Sequence, residues 1–222
     1  MKSLFNRLLL VFLVLLVTSC GGLKIIDKPI TFNEDRTKLT LEYLETRYGL
    51  QRPTAEITPK MIVLHWTEIP SFEKSFAAFK GPRLPGSRSD ITSAGSLNVS
   101  SHFLVDQDGT VYQLMPDNIM ARHVIGLNHC AIGIENVGGT KDMPLTQKQV
   151  RANNKLIRYL KEKYPIEYVI GHYEYTLFEG HELWLEKDAG YRTKKVDPGT
   201  DFMAKVRKAT KKLKFKPIPS QK

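Results

Sequence analysis

Two short apolar runs, each ending in a histidine, limit this chain more than any other feature. "MIVLH" (61–65) and "YVIGH" (168–172) are of strand length and carry no charge before the histidine. Runs that are apolar on both faces suit strands covered by helices on either side of a sheet. "AIGIENV" (131–137) is a third such run, and "SHFLVDQDGTVYQLM" (101–115) places two apolar stretches around Asp108-Gly109, a strong hairpin signal.

Helical patterns separate these strands. Residues 34–48 carry Leu39, Leu41, Tyr43, Leu44 and Tyr48 as apolar positions, and Phe72, Phe76 and Phe79 recur at i, i+4 and i+7 behind Ser71. Residues 145–164 form the clearest helix, with Thr146 and Gln149 spaced as a capping box and Leu145 and Val150 as a staple. The stretch 81–99 is rich in Gly, Pro, Ser and Arg and is expected to be a surface loop. Strands interleaved with helices, one hairpin being antiparallel, predict a single α/β domain with a mixed central sheet flanked by helices.

The N-terminus sets the compartment. Lys2 and Arg7 precede the apolar run "LLLVFLVLLV" (8–17), which is of signal-peptide length and short for a membrane span. "VTSC" then resembles the lipobox of bacterial lipoproteins. That implies a signal peptide over 1–19, diacylglycerol on the sulfur of Cys20, and a tether over 20–33. Gly21 after the cysteine resembles the pattern for sorting to the outer membrane, so the expected location is the bacterial cell envelope, at the outer membrane facing the periplasm.

Cleavage removes 19 of 222 residues and leaves 203, enough for one domain with a sizeable core. Cys130 is then the sole unlipidated thiol, so no intrachain disulfide can form, and it is expected to be buried. The formal charge falls from +10 to +8 as Lys2 and Arg7 leave. Lys205, Arg207, Lys208, Lys211, Lys212, Lys214, Lys216 and Lys222 supply that same +8 without a single acid in 205–222. Residues 34–213 are read as the domain and 214–222 as a basic tail, either a solvated end or a contact for anionic lipid or cell-wall polymer. An exported protein gives no reason to expect a nucleic-acid partner.

The chemistry-bearing residues lie around the strand ends. His65 and His172 each stand at the C-terminal exit of a buried strand, the edge where ligands gather in α/β sheets. A catalytic zinc takes three protein ligands from His, Cys, Asp or Glu and keeps one position open. Asp197 in "KVDPG" is a third candidate. It also suits a helix start, because Asp is a favoured cap and Pro198 is preset for a first turn. Glu135 is a carboxylate in an otherwise apolar strand, which is costly unless it is paired, used or turned to water. "HYE" (172–174) lacks the P-C-x-x-C of a zinc deaminase, and no H-E-x-x-H occurs.

"IVLHWT", "SSHFLVDQDGTVYQL", "ARHVIGLNHCAIGIEN", "VIGHYE" and "KVDPG" occur in the order seen in type 2 N-acetylmuramoyl-L-alanine amidases, the superfamily of phage-T7-type lysozymes and peptidoglycan recognition proteins. The resemblance covers about residues 60–207. It implies His65, His172 and Asp197 as ligands of Zn2+, Glu135 as the catalytic carboxylate, Lys195 as a catalytic lysine, and His123 as a histidine lining the site. It also implies peptidoglycan or muropeptides as partners, with hydrolysis of the amide between the lactyl group of N-acetylmuramic acid and L-alanine. A peptidoglycan-binding lipoprotein without activity is the alternative. The chain departs from the pattern by 24 residues, 173–196, between the second and third ligands. Within and beside that insertion Glu174, His181, Glu182 and Asp188 compete with Asp197, and Phe178 and Trp184 either face substrate or pack the insertion down.

Overall fold

A computed structural model describes residues 22–86 and 89–220. The signal peptide expected over 1–19 and the lipid expected on Cys20 lie outside these residues. Six strands form one mixed sheet: β1 (Ile25–Asp27), β2 (Met61–Trp66), β3 (Phe103–Val105), β4 (Val111–Gln113), β5 (Ala131–Asn136) and β6 (Tyr168–Gly171). Their order across the sheet is β1-β4-β3-β5-β2-β6. β3 and β4 pair antiparallel, and the other neighbours are parallel.

Alternation along β2 shows why both faces must be covered. Met61 and Val63 join one apolar cluster with Leu39, Tyr43 and Leu44 of helix α1 (Glu34–Tyr48). Ile62 and Leu64 join another with Leu156, Ile157 and Leu160 of α3 (Gln147–Lys163) and Phe202, Met203 and Val206 of α4 (Thr200–Thr210). Fully burying each such aliphatic side chain contributes about 1.5–3 kcal/mol. This arrangement fixes the phase of the strand, and His65 falls on the α1 side.

The helix ends follow the local chemistry. Asn33 caps α1 through the N–H of Arg36, and Ser71 caps α2 (Phe72–Lys80) through the N–H of Lys74. Thr146 and Gln149 of α3 form the expected capping box. Cys130 is buried, as expected, and burial pushes its thiol up to about 12. No helix among the described residues is long and apolar enough to cross a membrane.

Three features differ from the sequence expectation. Ile25–Asp27, inside the stretch read as tether, pairs with β4 as an edge strand, and Leu23 and Ile25 pack against the α3–α4 side of the core. Three residues among charged neighbours are too few to show a period. The tail is partly docked: the N–H of Lys216 donates to the carbonyl of Glu167, its ammonium pairs with the Glu167 carboxylate, and Phe215 packs on the core. Finally, Asp197 does not cap α4. The cap is Gly199 at φ 83°, in a region that favours glycine, and the Asp197-Pro198 peptide is cis. A helix that starts at Thr200 leaves the Asp197 carboxylate to other partners.

Candidate metal centre and catalytic cleft

β2 and β5 run parallel with His65 opposite Glu135 in register. Both side chains therefore emerge side by side from the α1 face at the C-terminal edge of the sheet. β6 ends at Gly171, and His172 begins the 3-10 turn that follows it. The insertion then leads back so that the carbonyl of Asp197 accepts the N–H of Tyr173, which sets Asp197 against the end of β6. Four residues from four distant segments thus meet at one sheet edge.

Three donor atoms converge there. His65 Nδ1 lies 3.0 Å from His172 Nδ1 and 3.1 Å from Asp197 Oδ2, and His172 Nδ1 lies 3.0 Å from the same oxygen. All three residues are buried. Ligand bonds of 2.0–2.2 Å in a tetrahedral zinc site put donors about 3.3 Å apart, so this set fits such an ion. Two imidazole nitrogens turned toward each other beside a carboxylate oxygen are also a poor arrangement without a cation or proton between them.

The protonation states suit a metal. Burial, followed by the neighbouring His65, pushes the His172 imidazole down to about 4 against the pull of Asp197. Burial alone would raise the Asp197 carboxyl, yet the adjacent His172 and His65 hold it well below the usual carboxylate range. Neutral imidazole and ionised carboxylate are the forms that bind metal.

His65 is oriented from behind. Its Nε2 lies 3.0 Å from His123 Nδ1, and His123 Nε2 lies 3.3 Å from the carbonyl oxygen of Ala131. The carbonyl can only accept, so His123 carries its proton on Nε2 and accepts from His65 Nε2–H. That assignment leaves His65 Nδ1 with its lone pair toward the cluster. His123 also lines the cleft, as expected. Gly133 makes room for it, because a Cβ there would stand 2.8 Å from His123 Cγ. Asn128 fixes the loop by accepting the N–H groups of His123 and Val124 and donating to the Tyr48 hydroxyl.

Glu135, Lys195, His65, His123, His172 and Asp197 all border one cleft of about 320 Å³. Its far wall includes Arg122, a residue with no role in the sequence reading. The buried Arg122 guanidinium donates to the carbonyls of Ile91, Gly95 and Leu97 and to the Tyr191 hydroxyl, tying the 89–99 loop to the insertion. "ARH" (121–123) carried that signal, but nothing local indicated what the arginine would reach.

The competing carboxylates and imidazoles are occupied elsewhere or exposed. Glu174 accepts the N–H of Gly171 and pairs with Arg207, His181 meets the Tyr168 hydroxyl, and Asp188 pairs with Arg47. Glu182 is exposed. Phe178 is fully buried in the core, and Trp184 stacks on Tyr175 beneath the Arg192 guanidinium, so both pack the insertion down. The buried Glu186 anchors that insertion to α1 through Arg47 at 2.7 Å.

Residues 55–200 match the model of the family described as N-acetylmuramoyl-L-alanine amidase (Amidase_2). An endolysin of Enterobacteria phage K11 is 32% identical over 85 residues, covering 36% of this chain and 56% of the endolysin. Peptidoglycan recognition protein 3 of Mus musculus is 36% identical over 61 residues, 28% of this chain and 18% of that protein. The chain therefore spans about half the length of the first of these relatives and less of the second. Among solved structures, N-acetylmuramoyl-L-alanine amidase LysC from Clostridium intestinale URNW superposes with a TM-score of 0.53 at 22% identity, covering 87% of this chain and 99% of that one. At that identity the match speaks for the fold.

Proposed function

For a chain that belongs to the N-acetylmuramoyl-L-alanine amidase family, we propose zinc-dependent hydrolysis of the amide between the lactyl group of N-acetylmuramic acid and L-alanine of a peptidoglycan stem peptide. The observation that carries this reading is the convergence of His65 Nδ1, His172 Nδ1 and Asp197 Oδ2 beside Glu135 in a single cleft. A recognition module that only binds would need no such donor set, so its completeness supports catalysis over binding alone.

His65, His172 and Asp197 would hold the ion. Bound there, it would supply Lewis acidity and a water acidic enough to act as nucleophile near neutral pH. Glu135 takes the proton of the attacking water on its carboxylate and returns it to the departing amine of L-alanine. Lys195, which also lines the cleft, would supply an ammonium to stabilise the negative charge that develops on the carbonyl oxygen. His123 keeps the His65 ring in one tautomer and one orientation.

The decisive experiment incubates the protein lacking residues 1–19 with muropeptides and follows free stem peptide by mass spectrometry. Release that stops with chelator and returns with zinc is the expected result. No chelator-sensitive release from several muropeptide types would leave the binding-only reading. Attachment at Cys20 to the periplasmic face of a bacterial outer membrane belongs to the same proposal, supported by the "VTSC" pattern after the apolar run. Metabolic labelling with a fatty acid, lost in Cys20→Ala, tests it.

A further inference from the structure

The sheet register limits how far the cleft can stand from residue 20. Ile25 pairs with Val111, Val111 with Val105, Val105 with Asn136, and Asn136 with Trp66, so all five lie on one row across the sheet. Four inter-strand steps of ~4.8 Å put Trp66, next to His65 and on the cleft wall, about 19 Å from Ile25. Ile25 is five residue steps from Cys20, and a fully extended chain spans at most ~3.6 Å per step, or about 18 Å. The true leash is shorter, because Leu23 already packs on the core. Sheet twist rotates the strand axes between β1 and β2, but it does not lengthen this path. β1 also begins at the sheet edge where His65 and Glu135 emerge, since it runs parallel to β4 and β4 runs antiparallel to β3.

From this path we propose that the cleft works within about 40 Å of the membrane that holds Cys20, and that its substrates are muropeptides at that surface rather than wall strands beyond it. The proposal rests on membrane attachment at Cys20 and on the amidase reading, and adds where the reaction can occur. The edge strand, not the length of the N-terminal segment, is what shortens the reach. Were residues 20–33 a free tether, as the sequence alone suggested, the thirteen steps from 20 to 33 would span up to ~47 Å in place of the ~18 Å to Ile25.

The test uses the chain beginning at Cys20, coupled through that thiol to maleimide lipid in phosphatidylcholine vesicles; Cys130 is buried and stays unmodified. A second form carries 20 Gly/Ser residues inserted between Gly22 and Leu23, adding roughly 25 Å of root-mean-square reach. Both forms should cleave free muropeptide and muropeptide linked to the same vesicles at equal rates. On insoluble sacculi the long-leash form should release stem peptide at least tenfold faster. Equal rates on sacculi would overturn the proposal. Loss of cleavage on every substrate would instead refute the amidase reading, and a dye then still reports the reach. Placed on an unnatural side chain at the exposed Val196, beside Asp197, it should transfer energy to acceptor lipids efficiently with the native leash and several-fold less with the long one. Equal transfer would overturn the proposal without reference to activity.

Discussion

Two buried histidines on either side of β5 meet opposite fates. His102, just before β3, has both nitrogens satisfied by backbone: Nδ1 accepts the N–H of Gly133 at 2.9 Å and Nε2 donates to the carbonyl of Ile119 at 2.8 Å. His65 turns one nitrogen to another imidazole and a carboxylate, and the other to His123. A histidine whose partners are fixed backbone groups holds the fold, whereas one whose partners are other titratable side chains is arranged for chemistry. The same residue type is tied to backbone on one side of β5 and to titratable side chains on the other, and burial does not distinguish them.

The largest expected effect that sharpens this contrast is at Asp197. Asp197→Asn should keep the fold by circular dichroism, because Gly199 and not Asp197 begins α4, yet lose zinc and essentially all amidase turnover. Full zinc occupancy by atomic absorption together with normal turnover would return the cluster to a structural role. Glu135→Gln comes next, with kcat lowered ~10²–10⁴-fold at unchanged zinc content, the usual contribution of a general acid–base group.

The third effect concerns His102 and is one of stability alone. Burial pushes its imidazole down to about 4, and protonation would set a second N–H against that of Gly133. The unfolded chain takes up this proton near 6.5, so stability is constant above that pH and falls between about 6.5 and 4, by roughly 3 kcal/mol for this group. Urea midpoints across that range should show the fall, and His102→Gln, wherever it folds, should flatten it. A slope unchanged in that variant would mean that other groups carry it.

The smallest effect is at His123. Replacement by Phe, which fills the space over Gly133 but cannot accept from His65, should weaken zinc affinity ~10–100-fold, the range for outer partners of ligands. Thermal stability should change less than affinity, and an unchanged zinc titration would confine His123 to lining the cleft.

Much of this was visible in the chain itself. The apolar runs at 61–64, 131–134 and 168–170, the hairpin at Asp108-Gly109 and the caps at Ser71 and Thr146 are local signals, because apolar patterning, tight turns and capping draw on residues close in sequence. The order of five short motifs pointed to His65, His172, Asp197, Glu135 and Lys195. What stayed hidden was non-local. Arg122 contacts loops up to 69 residues away, β1 is too short to show a period, and whether Phe178 and Trp184 face substrate depends on where a 24-residue insertion folds.

The "KVDPG" stretch divides the two contributions most clearly. By itself the sequence determined that Asp197 is flanked by residues able to end a loop and begin a helix, and that an acid stands where the family resemblance implies a third ligand. Only the tertiary structure took Asp197 out of the cap position and set its carboxylate beside two imidazoles. Strand register put His65 Nδ1 and His172 Nδ1 3.0 Å apart, and the hydrogen bond from the Tyr173 N–H to the Asp197 carbonyl sets the Asp197 carboxylate beside both. Capping is settled within a few residues of chain, whereas donor convergence requires three segments separated by 25 to 132 residues to be fixed against one another, and only a packed core does that.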